Sequence, residues 1–509
     1  MRWLFCALVL LGCGDDDSGG HGTDAAVDAQ PSIAVTVSAR PTVHDAARLT
    51  ITVDYAGTMD SDVVQLSAGL PTTYNLPIMG RQGAFQLHVD ARDSADVIVG
   101  HGSVMASFDQ ATTTVILDSD FVVNSVFAGN QFLSNDFEAV GLQLSAVTSG
   151  TWTSVFRDDC TGSPPACDIF GRRFDSTGLP VTSQLAANST NQFKITTTLT
   201  TPGSIPAVAS AGTTTLVFWD YFDTVGTGQG VACRAIDDQL GGGTAAQLSI
   251  TTESADVVTA APIGNGNVAV TWQTFATNET IHSLIVKPDC TTVQGTPVNV
   301  STSASTAGHR RSHVAAKGGN LLYVWINDGS VHARPAMANG TLTGSEVTAV
   351  AKTSTFDADH VRVVSYMNDY WIAVRWGAAD GVSPGKIELY KLDANGAVVG
   401  TPTLVTDTSG SDFASDKSFG IAARADGTML VVWHACPSGP GSCDVFGRLV
   451  AQTGVPVANA FVVPTNTQGD QVNPSVTALA DSFVVAWTDS SVAAPDTSGT
   501  AVRATIIQP

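Results

Sequence analysis

Two stretches of the chain place paired thiols at a spacing that can do chemistry. Residues 160–173 read CTGSPPACDIFGRR and residues 436–449 read CPSGPGSCDVFGRL, so C-x6-C-D-[Ile/Val]-Phe-Gly-Arg is written twice. Two cysteines at this spacing either close a small disulfide loop or supply half of a zinc site. Zinc needs two further Cys or His ligands nearby; His434 offers one beside the second pair, and the first pair has no equivalent. The reading is therefore two disulfides, Cys160–Cys167 and Cys436–Cys443, each closing a short loop for ~2.5 kcal/mol of chain entropy. Cys233 and Cys290 are read on the c strands of adjacent units of the repeat described below, four residues out of phase, and either bridge or stay as buried thiols.

Carboxylates are the second chemical resource. Asp158, Asp159, Asp220, Asp223, Glu279, Asp380, Asp489 and Asp496 fall in segments between strand-like runs, against Arg157 and Lys386. Gathered on one face, they would suit a cationic ligand, calcium or a basic protein patch. Two of them converging ~5–9 Å apart would instead make an acid/base pair for glycoside hydrolysis. Other catalytic schemes find no support. The G-x-S-x-G stretch GVSPG (381–385) puts Pro384, which has no N–H, where a nucleophile elbow needs an oxyanion donor, so Ser383 reads as a turn residue. No H-E-x-x-H and no phosphate-binding glycine loop occurs, and His309 and His313 lie in a strand-like setting. No cofactor is expected.

The elements that must hold these groups repeat. Short apolar runs end in an aromatic at Phe156, Trp219, Trp272, Trp325, Trp376, Trp433 and Trp487, roughly 55 residues apart, and take up six of the nine tryptophans. Each is preceded by a β-stretch with a turn and followed by a run closing on a Gly turn, as in DVFGRLVAQTG (444–454), and then by a further short strand. Four strands a–b–c–d per unit, in seven units, read as a seven-bladed β-propeller over 119–509. The last unit lacks its d strand, since only AVRATIIQP follows FVVAW. DFVVNS (120–125) resembles AFVVPT (460–465) and is expected to supply that strand from the front of the chain, which removes an open edge. In this frame the two cysteine loops are the same b–c connection of blades one and six. The tryptophans are packing residues between blades, and the carboxylates above lie on b–c loops, long in every blade but the fourth.

Residues 32–118 carry period-2 runs (SIAVTVSA, RLTITVDY, AFQLHVDA, TTTVILD) without Cys or Trp, which reads as an immunoglobulin-like β-sandwich. Ahead of it, GDDDSGGHGTDAAVDAQP (14–31) lacks the apolar residues to fold and reads as a flexible linker. The first 13 residues, MRWLFCALVLLGC, hold one Arg, an apolar run too short to span a bilayer, and a small residue before Cys13. Leu10-Leu11-Gly12-Cys13 resembles the lipobox of bacterial lipoproteins. That resemblance implies a signal peptide over 1–12 and a lipidated Cys13 at the head of a 13–31 tether, bound to the membrane by acyl chains.

A net charge of −22 opposes nucleic acid and anionic lipid as partners. The six cysteines left after processing are even in number, as an oxidising compartment favours. The chain as a whole resembles Gram-negative surface lipoproteins with a C-terminal repeat propeller. The expectation is an outer-membrane monomer that binds a protein or glycan through the acidic b–c face, with a hydrolase or lyase acting on extracellular polysaccharide as the alternative.

Overall fold

The computed structural model describes residues 31–508 apart from 41–42, 44, 56–57, 95, 97, 125–143, 148–149, 162–165, 182–191, 197–200, 203–205, 223–228, 238–241, 249–253, 276–278, 303–308, 368, 379–384, 407–417, 437–440, 458 and 494–498. The signal, the linker and Cys13 lie outside the described residues. Among the described residues every regular element is a strand, and no helix is long and apolar enough to cross a membrane.

Seven strands open the chain: β1 (Ser32–Ala39), β2 (Arg48–Tyr55), β3 (Thr58–Gln65), β4 (Thr72–Pro77), β5 (Ala84–Arg92), β6 (Ile98–Ser107) and β7 (Thr112–Leu117). They form two sheets, β4-β1-β7 and β3-β2-β5-β6. Alternation along β1 and β2 sends Ile33, Val35 and Val37 of one sheet against Leu49, Ile51 and Val53 of the other. The sandwich is real, but its strand order is not that of an immunoglobulin domain, which would seat the third strand with the sixth and seventh. Here β3 folds straight back on β2, with Tyr55 opposite Thr58, and β6 lies beside β5. A tight hairpin makes sequence neighbours into sheet neighbours, a preference that alternation alone does not reveal.

The rest of the described chain forms seven sheets, I to VII. Their b and c strands are Trp152–Thr161 and Ala166–Phe174 in I, Thr214–Phe222 and Gln229–Ile236 in II, and Val268–Phe275 and Thr280–Val286 in III. In IV they are Asn320–Asn327 and Ser330–Met337, and in V Asp369–Ala378 and Lys386–Leu392. In VI they are Met429–Ala435 and Asp444–Val450, and in VII Phe483–Asp489 and Ala501–Ile507. The a strands are Leu144–Ala146, Ala207–Ala211 (preceded by Thr201–Pro202), Ser254–Pro262, His309–Lys317, Phe356–Tyr366, Phe419–Ala423 and Gln471–Ala478. Each a strand touches the a strand of the next sheet, and that of VII touches that of I, so the sheets stand in a ring. This is a β-propeller.

The aromatics in register explain the ring. Each lies on strand b and packs on the sheet before it: Trp219 with Val155 and Ile195 of I, Trp325 with Ile281 and Ile285 of III, Trp433 with Ala373 and Leu389 of V. Losing such a buried aromatic typically costs ~3–5 kcal/mol. A second periodic device was not anticipated. In sheets I, II, IV and VI the residue two past the one opposite the aromatic is an arginine, which donates to carbonyls at the outer end of the preceding sheet. Arg234 bonds Lys194 and Ile195, Arg334 bonds Val300, and Arg448 bonds Val405.

The seam follows the same rules. Phe121–Val122 (β8) is the fourth strand of sheet VII, pairing Val122 with Arg503 and Phe121 with Ala504. Val123 N donates to Val502 O at 2.7 Å, and the buried Asn124 Oδ1 accepts from Val502 N at 2.9 Å. Phe156 and Trp152 of sheet I pack on Val484, Val502 and Ile506 of VII, and Arg172 donates to Val123 O at 3.0 Å as its counterparts do elsewhere. Front and back of the chain meet as one sheet.

Candidate functional site

The b–c and d–a connections emerge on one side of the ring. Along the axis runs a narrow channel of about 300 Å³ lined by the a strands. It stays open because the inner strands carry small residues such as Ser145, Ala209, Ala261, Ala315 and Ala422. At its b–c end the a strands of III, IV, V and VII each slip register, at Asp256/Thr259, Arg310/His313, Ala358/His360 and Val472/Ser475. Bulges of this kind re-aim side chains, and here they bring ionisable groups inward. Arg311 N donates to Gln273 Oε1 at 2.8 Å, and its guanidinium reaches the carbonyl of Asp359, whose carboxylate takes Arg375 Nη1 at 2.6 Å. Burial pushes the Arg362 guanidinium down to about 9, helped by the like charge of Arg311. Burial also drives His313 down to about 3, and Arg362 opposes its protonation further.

The rim between VI and VII carries a different arrangement. Cys436 and Cys443 are bonded and staple the b–c loop of VI. Asp470, just ahead of strand a of VII, braces that loop by accepting Gly441 N at 2.7 Å and Cys443 N at 2.9 Å through Oδ1. Asp444, the residue after Cys443, opens strand c of VI; its Oδ1 is buried without a hydrogen-bond partner. Burial pushes its carboxyl up to about 6, and the neighbouring Asp470 charge adds to the shift. The described ends of the loop are tied together, and the carboxyl of Asp444 just after them keeps its proton to a higher pH than a free aspartate.

No protein-family model matches the chain, and no curated protein matches it. Solved structures are similar in shape at low identity. One is a protein of unknown function from Dyadobacter fermentans, with a TM-score of 0.44 and 9% identity over 77% of this chain and 98% of that one. Another is Penicillium chrysogenum α-L-arabinanase complexed with arabinobiose, with a TM-score of 0.42 and 12% identity over 76% and 98%. A third is the β-propeller domain of the Trilobed protease from Pyrococcus furiosus, at 0.39 and 7% over 71% and 91%.

The residues singled out in the sequence divide sharply. Asp220 and Asp489 are not ligand-facing carboxylates but interior ones, at 2% and 1% exposure. Asp220 lies against Arg157, whose charge it favours while burial opposes it. Asp489 takes Arg503 Nε at 2.6 Å, Gln471 Nε2 at 2.9 Å and Ser491 Oγ at 2.6 Å. The sequence count also left out the a strands, which bring Arg311 and Arg362 to the same side, so its described part is not uniformly acidic. Glu279 is largely covered and pairs with Arg310 at 3.5 Å. Asp223, Asp380 and Asp496 lie outside the described residues, as do the side chains of Asp158, Asp159, Cys160 and Cys167. Among the described residues no three His, Cys, Asp or Glu side chains gather as a metal site.

Cys233 and Cys290 are bonded, joining sheets II and III. Cys290 is not on strand c; it stands in the c–d turn, at the position that Gly178, Gly340, Gly396 and Gly454 hold in other sheets, and like them has a positive φ. A side chain there points at the preceding sheet, where Cys233 receives it; this accounts for the shift in phase. The missed residue of most interest is Asp444. Its signal was already written in the repeated C-D-[Ile/Val]-Phe-Gly-Arg, where the acid after the second Cys recurs as Asp168, paired with Lys194 and Thr196 in sheet I.

Proposed function

We propose that this protein is a cell-envelope lipoprotein, held by lipid on Cys13 in the outer membrane of a Gram-negative bacterium. In this reading a seven-bladed propeller recognises a protein or glycan partner through its b–c side without turning it over, and the front sandwich serves as a spacer. The observation that carries it is the VI–VII rim. A disulfide joins Cys436 to Cys443, and Asp470 accepts the N–H groups of Gly441 and Cys443, so the ends of this loop are fixed beside Asp444. A loop whose ends are fixed on a scaffold of strands loses less entropy on binding than one with free ends.

A second reading has its own support in Asp444. A carboxyl raised by burial and by a neighbouring carboxylate is the kind of acid that glycoside hydrolysis uses. Asp444 as general acid with Asp470 beside it would make the protein a hydrolase or lyase acting on extracellular polysaccharide. One experiment separates the two. The purified protein is applied to immobilised envelope polysaccharides and proteins, with and without calcium, and both retention and release of new sugar ends are measured. Retention without product, weakened roughly tenfold in Asp444→Asn by loss of a charge-assisted contact, supports recognition. Steady product release abolished by Asp444→Asn selects the hydrolase. Neither retention nor product rejects both.

A further inference from the structure

We propose that the cleft between the front sandwich and the outer rim of sheets VI and VII binds a small uncharged, hydroxyl-rich molecule, a neutral sugar or polyol. The cleft has a volume of about 430 Å³ and lies where the outward face of β3-β2-β5-β6 meets the d strand of VI, Phe461–Val462, and the connection that follows it. Its size falls within the range of small-molecule sites, which favour boundaries between modules.

The cleft is preformed. Asn459 Nδ2 donates to Asp54 Oδ2 across it at 3.1 Å, and Thr465 donates to Asp120 Oδ2 through N at 2.6 Å and Oγ1 at 2.7 Å. Only 118–120 separate β7 from the closing strand β8, and within them Asp118 exchanges backbone bonds with His101 at 2.7 and 2.8 Å. The two walls are therefore fixed to each other at several points.

One wall is polar. Asp90 stands directly opposite His101 across β5 and β6, and His88 opposite Thr52 across β5 and β2. The other wall is mostly apolar, with Phe461, Val462, Pro464 and Ile506, and Phe461 lies 6.0 Å from the His88 ring between centroids. Burial moves His88, His101 and Asp90 toward their neutral forms. His88 is pushed down to about 4, against the pull of Asp54 and with the help of His101. His101 is also lowered, with Asp90 opposing, and Asp90 is raised, with His101 and Arg92 opposing. From the propeller side the facing residues Asn459, Phe461, Thr465 and Thr467 carry no charge. A charged ligand would lose its hydration here, and the Asp54 carboxylate at the boundary is already engaged by Asn459, so the cost is large. A sugar offers what the walls ask for: hydroxyls for His88, Asp90 and His101, and an apolar ring face for Phe461.

The test titrates the full chain, by calorimetry and by saturation-transfer NMR, with glucose, galactose and N-acetylglucosamine, and with glucuronate and glucosamine as charged counterparts. At least one neutral sugar is expected to bind saturably, with both charged counterparts roughly tenfold weaker or more. Asp90→Ala and His88→Gln are expected to weaken that binding by roughly tenfold each, through loss of a hydrogen bond. Asp90→Ala removes the carboxyl without adding bulk and decides the matter alone if the histidine variant does not fold. Absence of saturable binding by any neutral sugar, equal binding of a charged counterpart, or binding unchanged in Asp90→Ala overturns the proposal.

Discussion

Replacing Asn124 by Ala should loosen the ring at one place only. Asn124 is fully buried, and its Oδ1 accepts the Val502 N–H at 2.9 Å. Strand β8 is two residues long, so this bond and that from Val123 N to Val502 O supply much of its hold on sheet VII. With the amide gone, the N–H of the equally buried Val502 has no acceptor, which costs about 1–3 kcal/mol. At 1.4 kcal/mol per factor of ten, opening of the seam becomes about 5- to 150-fold more frequent. Hydrogen exchange followed by mass spectrometry reads this directly: peptides covering 501–507 should exchange faster by that factor. Arg334→Met provides the contrast, since it removes a bond between sheets IV and III, to Val300 O at 2.7 Å, far from the seam. It should leave 501–507 protected. Unchanged exchange there in Asn124→Ala would show that β8 does not hold the ring shut, and the account of closure would fail.

Three further outcomes are expected. Removing Cys233–Cys290, whose partners are 57 residues apart, should lower stability by ~4 kcal/mol, against ~2.5 for Cys436–Cys443 with a separation of 7; equal or reversed denaturant midpoints would contradict this. Gly454→Ala should lower Tm more than Gly212→Ala. Both residues have a positive φ, but the new methyl at 454 comes within 2.5 Å of the Trp371 ring while nothing lies within 4 Å at 212, so equal losses would remove the packing argument. His88 and His313 are held down at about 4 and 3, below the unfolded value near 6.5, so their contribution is full above pH 6.5 and is lost as pH falls through those values. Asp118 and Asp120, raised to about 7 and 6, act in the opposite sense, so the histidine effect is isolated by difference. Stability measured against pH should fall less steeply below pH 6.5 in His88→Gln than in the parent, and parallel curves would refute the assignment.

Much of the architecture is legible in residues because it depends on local alternation and on a repeat. The runs SIAVTVSA and RLTITVDY are β1 and β2 residue for residue, and each in-register aromatic lies buried between two sheets. The likeness of DFVVNS to AFVVPT located the closing strand, since a d strand carries the same pattern in every unit. The site was far less legible. A run of carboxylates between strands looks the same whether it faces solvent or an arginine, and only the fold brings Arg503 from strand c to Asp489 on strand b. The bulges that turn Arg311 and His313 inward leave no mark in a hydrophobic pattern, because an extra residue in a strand shifts the period without changing composition.

The amino-acid sequence by itself determined the strands, their fourfold grouping, the aromatic that each sheet lays on the one before, and the stapled loop with its following aspartate. These are matters of side-chain size and alternation, which act over a few residues. Tertiary structure alone decided the order of strands in the sandwich, the bond between Cys233 and Cys290, the burial of Asp220 and Asp489, and the cleft where sandwich and ring meet. Each depends on groups tens to hundreds of residues apart, and whether a charge faces water or a partner is settled only when the chain brings those groups together.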